Sequence, residues 1–125
     1  MTAMGQQSSE RARERVFGYS FGSIYPLYVE KVEKKGRTAQ ELDKVLQWLT
    51  GFSPEQLGTQ RESGATLREF FASAEVPPEA SLITGVICGV RVEQIDDPLM
   101  QRIRYMDKLV DELAKGRPVE KILRS

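Results

Sequence analysis

Three capping boxes, one after another in the middle of the chain, indicate where three helices begin. In a capping box, a Ser or Thr side chain accepts a hydrogen bond from the backbone N–H three residues later, and a Glu or Gln at that position returns one. The motifs are Thr38-Ala-Gln-Glu41, Ser53-Pro-Glu-Gln56 and Thr66-Leu-Arg-Glu69. A helix-terminating signal follows each motif, at Gly51, before Gly64 and at Pro77-Pro78. The pattern predicts a series of short helices and therefore an all-α fold.

Two further helices flank this series. The first is predicted over Ile24–Lys35, with Ser23 as its N-cap and Pro26 in its first turn, where proline is tolerated. The second runs from Pro98 to Lys115 with Asp97 as its N-cap. Its apolar positions recur at heptad-like spacing, which favours a face packed in a globular core over a coiled-coil dimer. They are Leu99, Ile103, Met106, Val110 and Leu113.

The length of 125 residues suits one domain with one core. We predict a compact single-domain bundle of five or six helices over residues 16–125, after a disordered polar tail over residues 1–15. At the junction, apolar and small residues alternate from Val16 to Phe21, which predicts a short extended entry into the core. One last turn is expected over Pro118–Leu123.

The stretch from Ser81 to Pro98 holds the longest apolar run, and its pattern suits a helix-turn-helix corner. Such a corner needs a small residue, then a glycine for the left-handed turn, then two aliphatic residues at fixed distances. Those positions are occupied by Gly85, Gly89, Val90 and Ile95. The sequence thus predicts a helix-turn-helix-like corner at 82–97, with helices Leu82–Cys88 and Val92–Asp97. A buried strand over Leu82–Val92 is the alternative, disfavoured because no second strand of similar quality exists to pair with it.

This corner raises DNA binding as one alternative function. A recognition helix must face phosphates and present donors to base edges. Three of the four exposed positions of the second helix would be acidic: Glu93, Asp96 and Asp97, beside Gln94. Since Arg91 is the one basic residue of the corner, we expect a structural corner with Cys88 buried in it, and we do not expect nucleic acid as a partner.

Composition narrows the remaining function classes. Lys and Arg together number 18, and Asp and Glu together also number 18, so the formal net charge is zero. A chain with no net charge has no overall field to attract polyanions or membranes. The chain has no histidine, the commonest metal ligand and general base, so we predict no catalytic residue, no metal and no cofactor. A single cysteine excludes an intrachain disulfide and fits the cytoplasm. No apolar run is long enough to cross a membrane, so no membrane partner is expected.

Four side chains are candidates for binding. Trp48 lies at the edge of an apolar stripe, where it either caps the core rim or anchors a partner. Arg91 is the basic side chain of the corner, Arg102 lies at the rim of the long helix's apolar seam, and Arg104 lies near acidic side chains on that helix. These features favour a non-enzymatic protein-interaction or regulatory module, acting on another protein or by self-association. A small-molecule binder or enzyme that uses Arg, Tyr and carboxylates in a pocket is the second alternative.

Several motifs, in order, resemble the bacterial family named domain of unknown function 2200. The resemblance extends from about Val16 to Arg124. Its clearest segments are Ser20-Phe-Gly-Ser-Ile-Tyr-Pro-Leu-Tyr-Val-Glu30, Lys35-Gly-Arg-Thr38, Trp48-Leu-Thr-Gly51, Ser81-Leu-Ile-Thr-Gly-Val-Ile-Cys-Gly-Val-Arg-Val-Glu93, Asp97-Pro-Leu-Met100 and Ile103-Arg-Tyr-Met-Asp-Lys-Leu-Val-Asp-Glu-Leu-Ala-Lys-Gly116. The resemblance implies a compact, mostly helical bacterial cytoplasmic protein. It implies no activity, substrate or cofactor, and no functional residue is carried over.

Overall fold

The structure, a computed structural model, describes residues 11–124 as seven α-helices and one short hairpin. The helices are α1 (residues 11–17), α2 (Phe21–Glu33), α3 (Ala39–Thr50), α4 (Pro54–Glu62), α5 (Leu67–Ser73), α6 (Pro98–Ala114) and α7 (Val119–Ile122). The hairpin strands β1 (Val86–Ile87) and β2 (Val90–Arg91) lie between α5 and α6, flanked by 3-10 turns at Pro78–Leu82 and Val92–Gln94. Since each strand has only two residues, the all-α prediction is confirmed.

The predicted helix starts at the three capping boxes are confirmed. In the first, the Glu41 N–H donates to Thr38 Oγ1 at 3.1 Å and the Thr38 N–H donates to Glu41 Oε1 at 3.0 Å. The boxes of α4 and α5 have the same reciprocal bonds. Asp97 caps α6 by accepting from the Met100 N–H at 3.0 Å, with Pro98 directly after it. Each cap stabilises its helix by about 1 kcal/mol.

Helix α2 begins three residues earlier than predicted. Its N-cap is Ser20, whose side chain accepts from the Ser23 N–H at 3.2 Å. Ser20 also forms an isolated antiparallel bridge with Thr66. Because this bridge holds Ser20 in the extended conformation that an N-cap requires, the helix starts there. Pro26 therefore lies in the helix interior and not in its first turn.

Helix α6 lies at the centre of the core. It packs against α2, α3, α5 and α7, and its predicted apolar face is buried as expected, with Met106, Val110 and Leu113 fully inaccessible. The apolar side chains along one face of α3 are equally buried, namely Leu42, Val45, Leu46 and Leu49. Next to it is a cluster of four phenylalanines, in which Phe21 stacks on Phe70 with ring centroids 4.2 Å apart. One continuous apolar cluster therefore joins the helices on both sides of the hairpin.

The predicted helix-turn-helix-like corner at 82–97 is wrong. This segment reverses direction in a two-residue turn, in which Cys88 has φ 53° and Gly89 has φ 79°, as a type I′ hairpin turn requires. The segment supplies both strands of the hairpin, since Val86 pairs with Arg91 and Ile87 with Val90. Residues 92–97 contain only a 3-10 turn at Val92–Gln94 and no α-helix, so the DNA-binding alternative loses its recognition helix.

Burial in this segment also differs from expectation. Only the side chains of Ile83 and Val92 are fully inaccessible, and they tether the hairpin to the core. Cys88 is exposed at the turn, so the prediction of a buried thiol is wrong. The apolar run therefore belongs to a surface hairpin, because a two-stranded ribbon buries at most one face.

The predicted extended entry into the core is confirmed only at Ser20, which is extended and bridges to Thr66, whereas Val16 and Phe17 are helical. Residues 11–17 form α1, in which Val16 packs against the core and Phe17 is buried. Glu14 of α1 pairs with Arg68 of α5 at 3.2 Å, and the Arg68 guanidinium lies over the Phe17 ring. Helix α1 thus overlaps the predicted tail over residues 11–15, and the rest of that tail lies outside the described residues.

Candidate interaction groove

Two adjoining cavities run along α1. The first, of about 500 Å³, lies between α1, α2 and α6. Its apolar wall is formed by Val16, Tyr19, Ile24, Leu27, Leu67 and Ile103. The second, of about 320 Å³, extends between α1, α6 and the hairpin to Val90 and Ile95. Because both are lined by Val16 and Arg104, they meet at those side chains. We call the two cavities together the α1 groove.

Exposed apolar side chains concentrate along the α1 groove. Of the five large apolar side chains that are exposed in residues 11–124, three border it: Leu27 (64% exposed), Tyr19 (45%) and Val90 (44%). Single exposed apolar residues are ordinary on a soluble protein, but a contiguous apolar patch marks an interaction site. The groove therefore has the composition of a binding surface.

A hydrogen-bonded cluster forms the polar part of the groove. The Tyr28 hydroxyl donates to Asp107 Oδ1 at 2.6 Å, and Arg104 Nη1 donates to Asp107 Oδ2 at 2.8 Å. Burial raises the pKa of Tyr28 well above its ordinary value, and the adjacent carboxylate of Asp107 adds to the rise. The hydroxyl therefore remains a donor at neutral pH, and each Asp107 oxygen has a donor.

Arg104 occupies the junction of the two cavities. Its Nη1 contacts the Cys88 sulfur at 3.6 Å as well as Asp107, so the side chain is held from α6 and from the hairpin turn. The side chain is 23% exposed. Among residues 11–124, no acceptor bonds its Nε or Nη2. The guanidinium thus offers donors to whatever enters the groove.

The other three candidates from the sequence lie outside the groove. Trp48 is partly buried against the core on α3, Arg102 is exposed on α6, and Arg91 pairs with Glu93 at 3.3 Å on the hairpin. Only Arg104 joins the groove, because a two-residue step turns a helix by about 200° and so separates Arg102 from it. Sequence reasoning missed Leu27 and Tyr28 as site residues. The available signal was their helical spacing from Ile24, which places all three side chains on one face of α2.

Within residues 11–124, no helix combines the length and the apolar character that crossing a membrane requires. The same residues bring no three Cys, Asp or Glu side chains close enough to hold a metal ion. The polar side chains that bond to one another in the α1 groove are those of Tyr28, Arg104 and Asp107.

The comparisons with known proteins agree with this fold. A family described as "Uncharacterized protein conserved in bacteria (DUF2200)" matches residues 15–124. The chain belongs to this family. It is also similar to the crystal structure of uncharacterized protein SP1917, with a TM-score of 0.83 and 42% sequence identity over 88% of this chain and 91% of that chain. No curated protein matches the chain. The resemblance noted in the sequence is confirmed, and the function of the family is unknown.

Proposed function

We propose that this protein is a non-enzymatic interaction module that binds a segment of a partner protein in the α1 groove. The observation that carries the proposal is the position of Leu27, Tyr19 and Val90, three exposed apolar side chains around one groove. Full burial of a large apolar side chain contributes about 1.5 to 3 kcal/mol, so covering one of these half-exposed side chains contributes on the order of 1 kcal/mol. The single cysteine supports a role in the cytoplasm, as inferred from composition.

The openness of the groove favours a protein segment over a small molecule. Pockets for small molecules are concave and enclose most of the ligand surface. Here Leu27 is 64% exposed at the rim, and the groove continues from α2 past α1 to the hairpin. A long open groove between helices suits an amphipathic segment, whose apolar side chains enter at successive positions.

Differential capture from a bacterial lysate tests the proposal. The immobilised wild-type chain is compared with Leu27→Gln, which removes apolar surface from the groove at little cost to the helix. The matched control is Leu82→Gln, because Leu82 is 59% exposed but does not line the groove. We expect a protein that is retained by the wild type and by Leu82→Gln and is lost with Leu27→Gln.

Circular dichroism of all three proteins shows that each is folded before the capture is scored. If the three proteins capture the same set, or if nothing depends on Leu27, the α1 groove is not the binding surface. The proposal is then wrong, whatever else the protein binds.

A further inference from the structure

We infer that the segment bound in the α1 groove carries a carboxylate that pairs with Arg104 and has apolar residues on both sides of it. This inference rests on the proposed function and specifies its partner. It follows from the charge of the groove, the geometry of Arg104 and the position of Arg104 between the two cavities.

The groove carries a net positive charge, because two arginines and one aspartate line it. The charged side chains that line it are Arg13, Arg104 and Asp107. The single carboxylate already accepts from Tyr28 and from Arg104. An entering basic group would meet two arginines and an occupied carboxylate, whereas an entering acid would find donors. Charge complementarity therefore selects an acidic group.

Arg104 is held in place for such a group. Its contacts with Asp107 at 2.8 Å and with Cys88 at 3.6 Å both use Nη1. In residues 11–124 nothing accepts from the edge formed by Nε and Nη2, and a guanidinium edge matches the two oxygens of a carboxylate. Because these contacts already restrain the Arg104 side chain, binding a ligand costs little of its rotamer entropy.

The location of Arg104 sets the order of residues in the partner. The 500 Å³ cavity lies on one side of it and the 320 Å³ cavity on the other, and both have mainly apolar walls. A segment that fills both must place its acid at the junction, with apolar side chains reaching toward Leu27 in one direction and toward Val90 in the other. The partner pattern is thus apolar, then Asp or Glu, then apolar.

Selection from a random peptide library tests this pattern. Phage-displayed 16-residue peptides are panned on the wild-type chain, and the selected peptides are synthesised and titrated by fluorescence anisotropy. We expect an Asp or Glu between apolar residues, and binding that depends on Leu27. Arg104→Gln should weaken binding on the order of tenfold or more, as expected for loss of a hydrogen bond to a charged group. Arg102→Gln removes the same charge from the same helix outside the groove and should leave the affinity unchanged.

A change in the peptide tests the same contact without altering the protein, and a conservative protein variant then separates the charge of Arg104 from its geometry. Changing the peptide's own acid to its amide should reduce binding to the wild type about as much as Arg104→Gln does. Arg104→Lys, which keeps the charge but loses the planar edge, should restore only part of the affinity.

The outcomes separate the inference from the proposed function. Peptides that depend on Leu27 but lack an acid, or that bind Arg104→Gln equally well, overturn the inference and leave the groove as a binding site. If no selected peptide depends on Leu27, the proposed function fails, and the inference fails with it. If sedimentation equilibrium shows a wild-type dimer that Leu27→Gln abolishes, the occupant is a second copy and the inferred partner is wrong.

Discussion

The Tyr28 hydroxyl donates to Asp107 Oδ1 at 2.6 Å and so joins α2 to α6, although the two residues are 79 positions apart. Around this bond, α2 presents Leu27 to the solvent while α6 presents Arg104. A polar contact between two core-forming helices thereby holds together the wall of the α1 groove.

Tyr28→Phe removes this hydrogen bond and keeps the ring. We expect a loss of about 1 to 2 kcal/mol in the free energy of unfolding, because the bond ends on a charged carboxylate and Arg104 still partners that carboxylate. Urea denaturation measures the change. Tyr19→Phe is the control, since Tyr19 is 45% exposed and its hydroxyl bonds no residue among 11–124. Equal losses for the two variants would mean that the Tyr28 bond contributes nothing specific.

Glu41 makes the stability of the fold depend on pH, with stability lost on acidification. Hydrogen bonds from Arg37, and then from the Thr38 backbone, lower the pKa of Glu41 from an ordinary value of 4.5 to about 2. The pKa of Glu41 is lower in the folded state than in the unfolded state. The ionised carboxylate therefore contributes its full stabilisation above about pH 4.5, and this contribution is lost as the pH falls through about 2. Glu41→Gln keeps a capping side chain but removes this titration.

We therefore expect thermal unfolding of the wild type and Glu41→Gln to differ most near neutral pH and to converge toward pH 2. The control is Glu69→Gln, in the capping box of α5, where the carboxylate has no arginine partner among the described residues. It should show a smaller change. A wild-type advantage that persists unchanged at the lowest pH would contradict the ion-pair account.

Truncation of two leucines distinguishes the core from the groove. Leu46 is fully buried on α3, so Leu46→Ala should cost about 2 to 5 kcal/mol through lost burial and the cavity left behind. Leu27→Ala should change stability by no more than about 0.5 kcal/mol, because that side chain is mostly exposed. Chemical denaturation of both variants measures this. A large loss for Leu27→Ala would make it a core residue and remove it from the groove.

Replacing glycine with alanine should have opposite effects on stability at Gly89 and at Gly58. Gly89 has φ 79° in the hairpin turn, so Gly89→Ala should destabilise by roughly 1 kcal/mol even though its surroundings have room for a methyl group. Gly58 lies inside α4 with equally open surroundings, and Gly58→Ala should stabilise by about 0.5 to 1 kcal/mol through helix propensity. Differential scanning calorimetry should show shifts in Tm of opposite sign, and shifts of the same sign would rule out the type I′ turn.

The candidate site was only partly predictable from the sequence. Arg104 was identified from its charge and its acidic neighbours, but its contact with Cys88 depends on the hairpin, which periodicity could not reveal. Leu27 lies three positions after Ile24, so helical periodicity places both on one face of α2. Whether that face is covered depends on the distance between α1, α2 and α6, and no local pattern encodes that distance.

The starts of α3, α4, α5 and α6 and the buried face of α6 followed from the sequence, because caps and helical periodicity involve residues only three or four positions apart. Three features were decided by tertiary structure. The bridge between Ser20 and Thr66 set the start of α2, the pairing of Val86 with Arg91 made a hairpin from an apolar run, and packing left Leu27 exposed beside Arg104. The bridge and the exposure of Leu27 depend on contacts between distant segments. The hairpin depends on pairing across its own turn and on Ile83 and Val92, which tether it to the core. The free energy of these contacts outweighs the local preferences of a few residues.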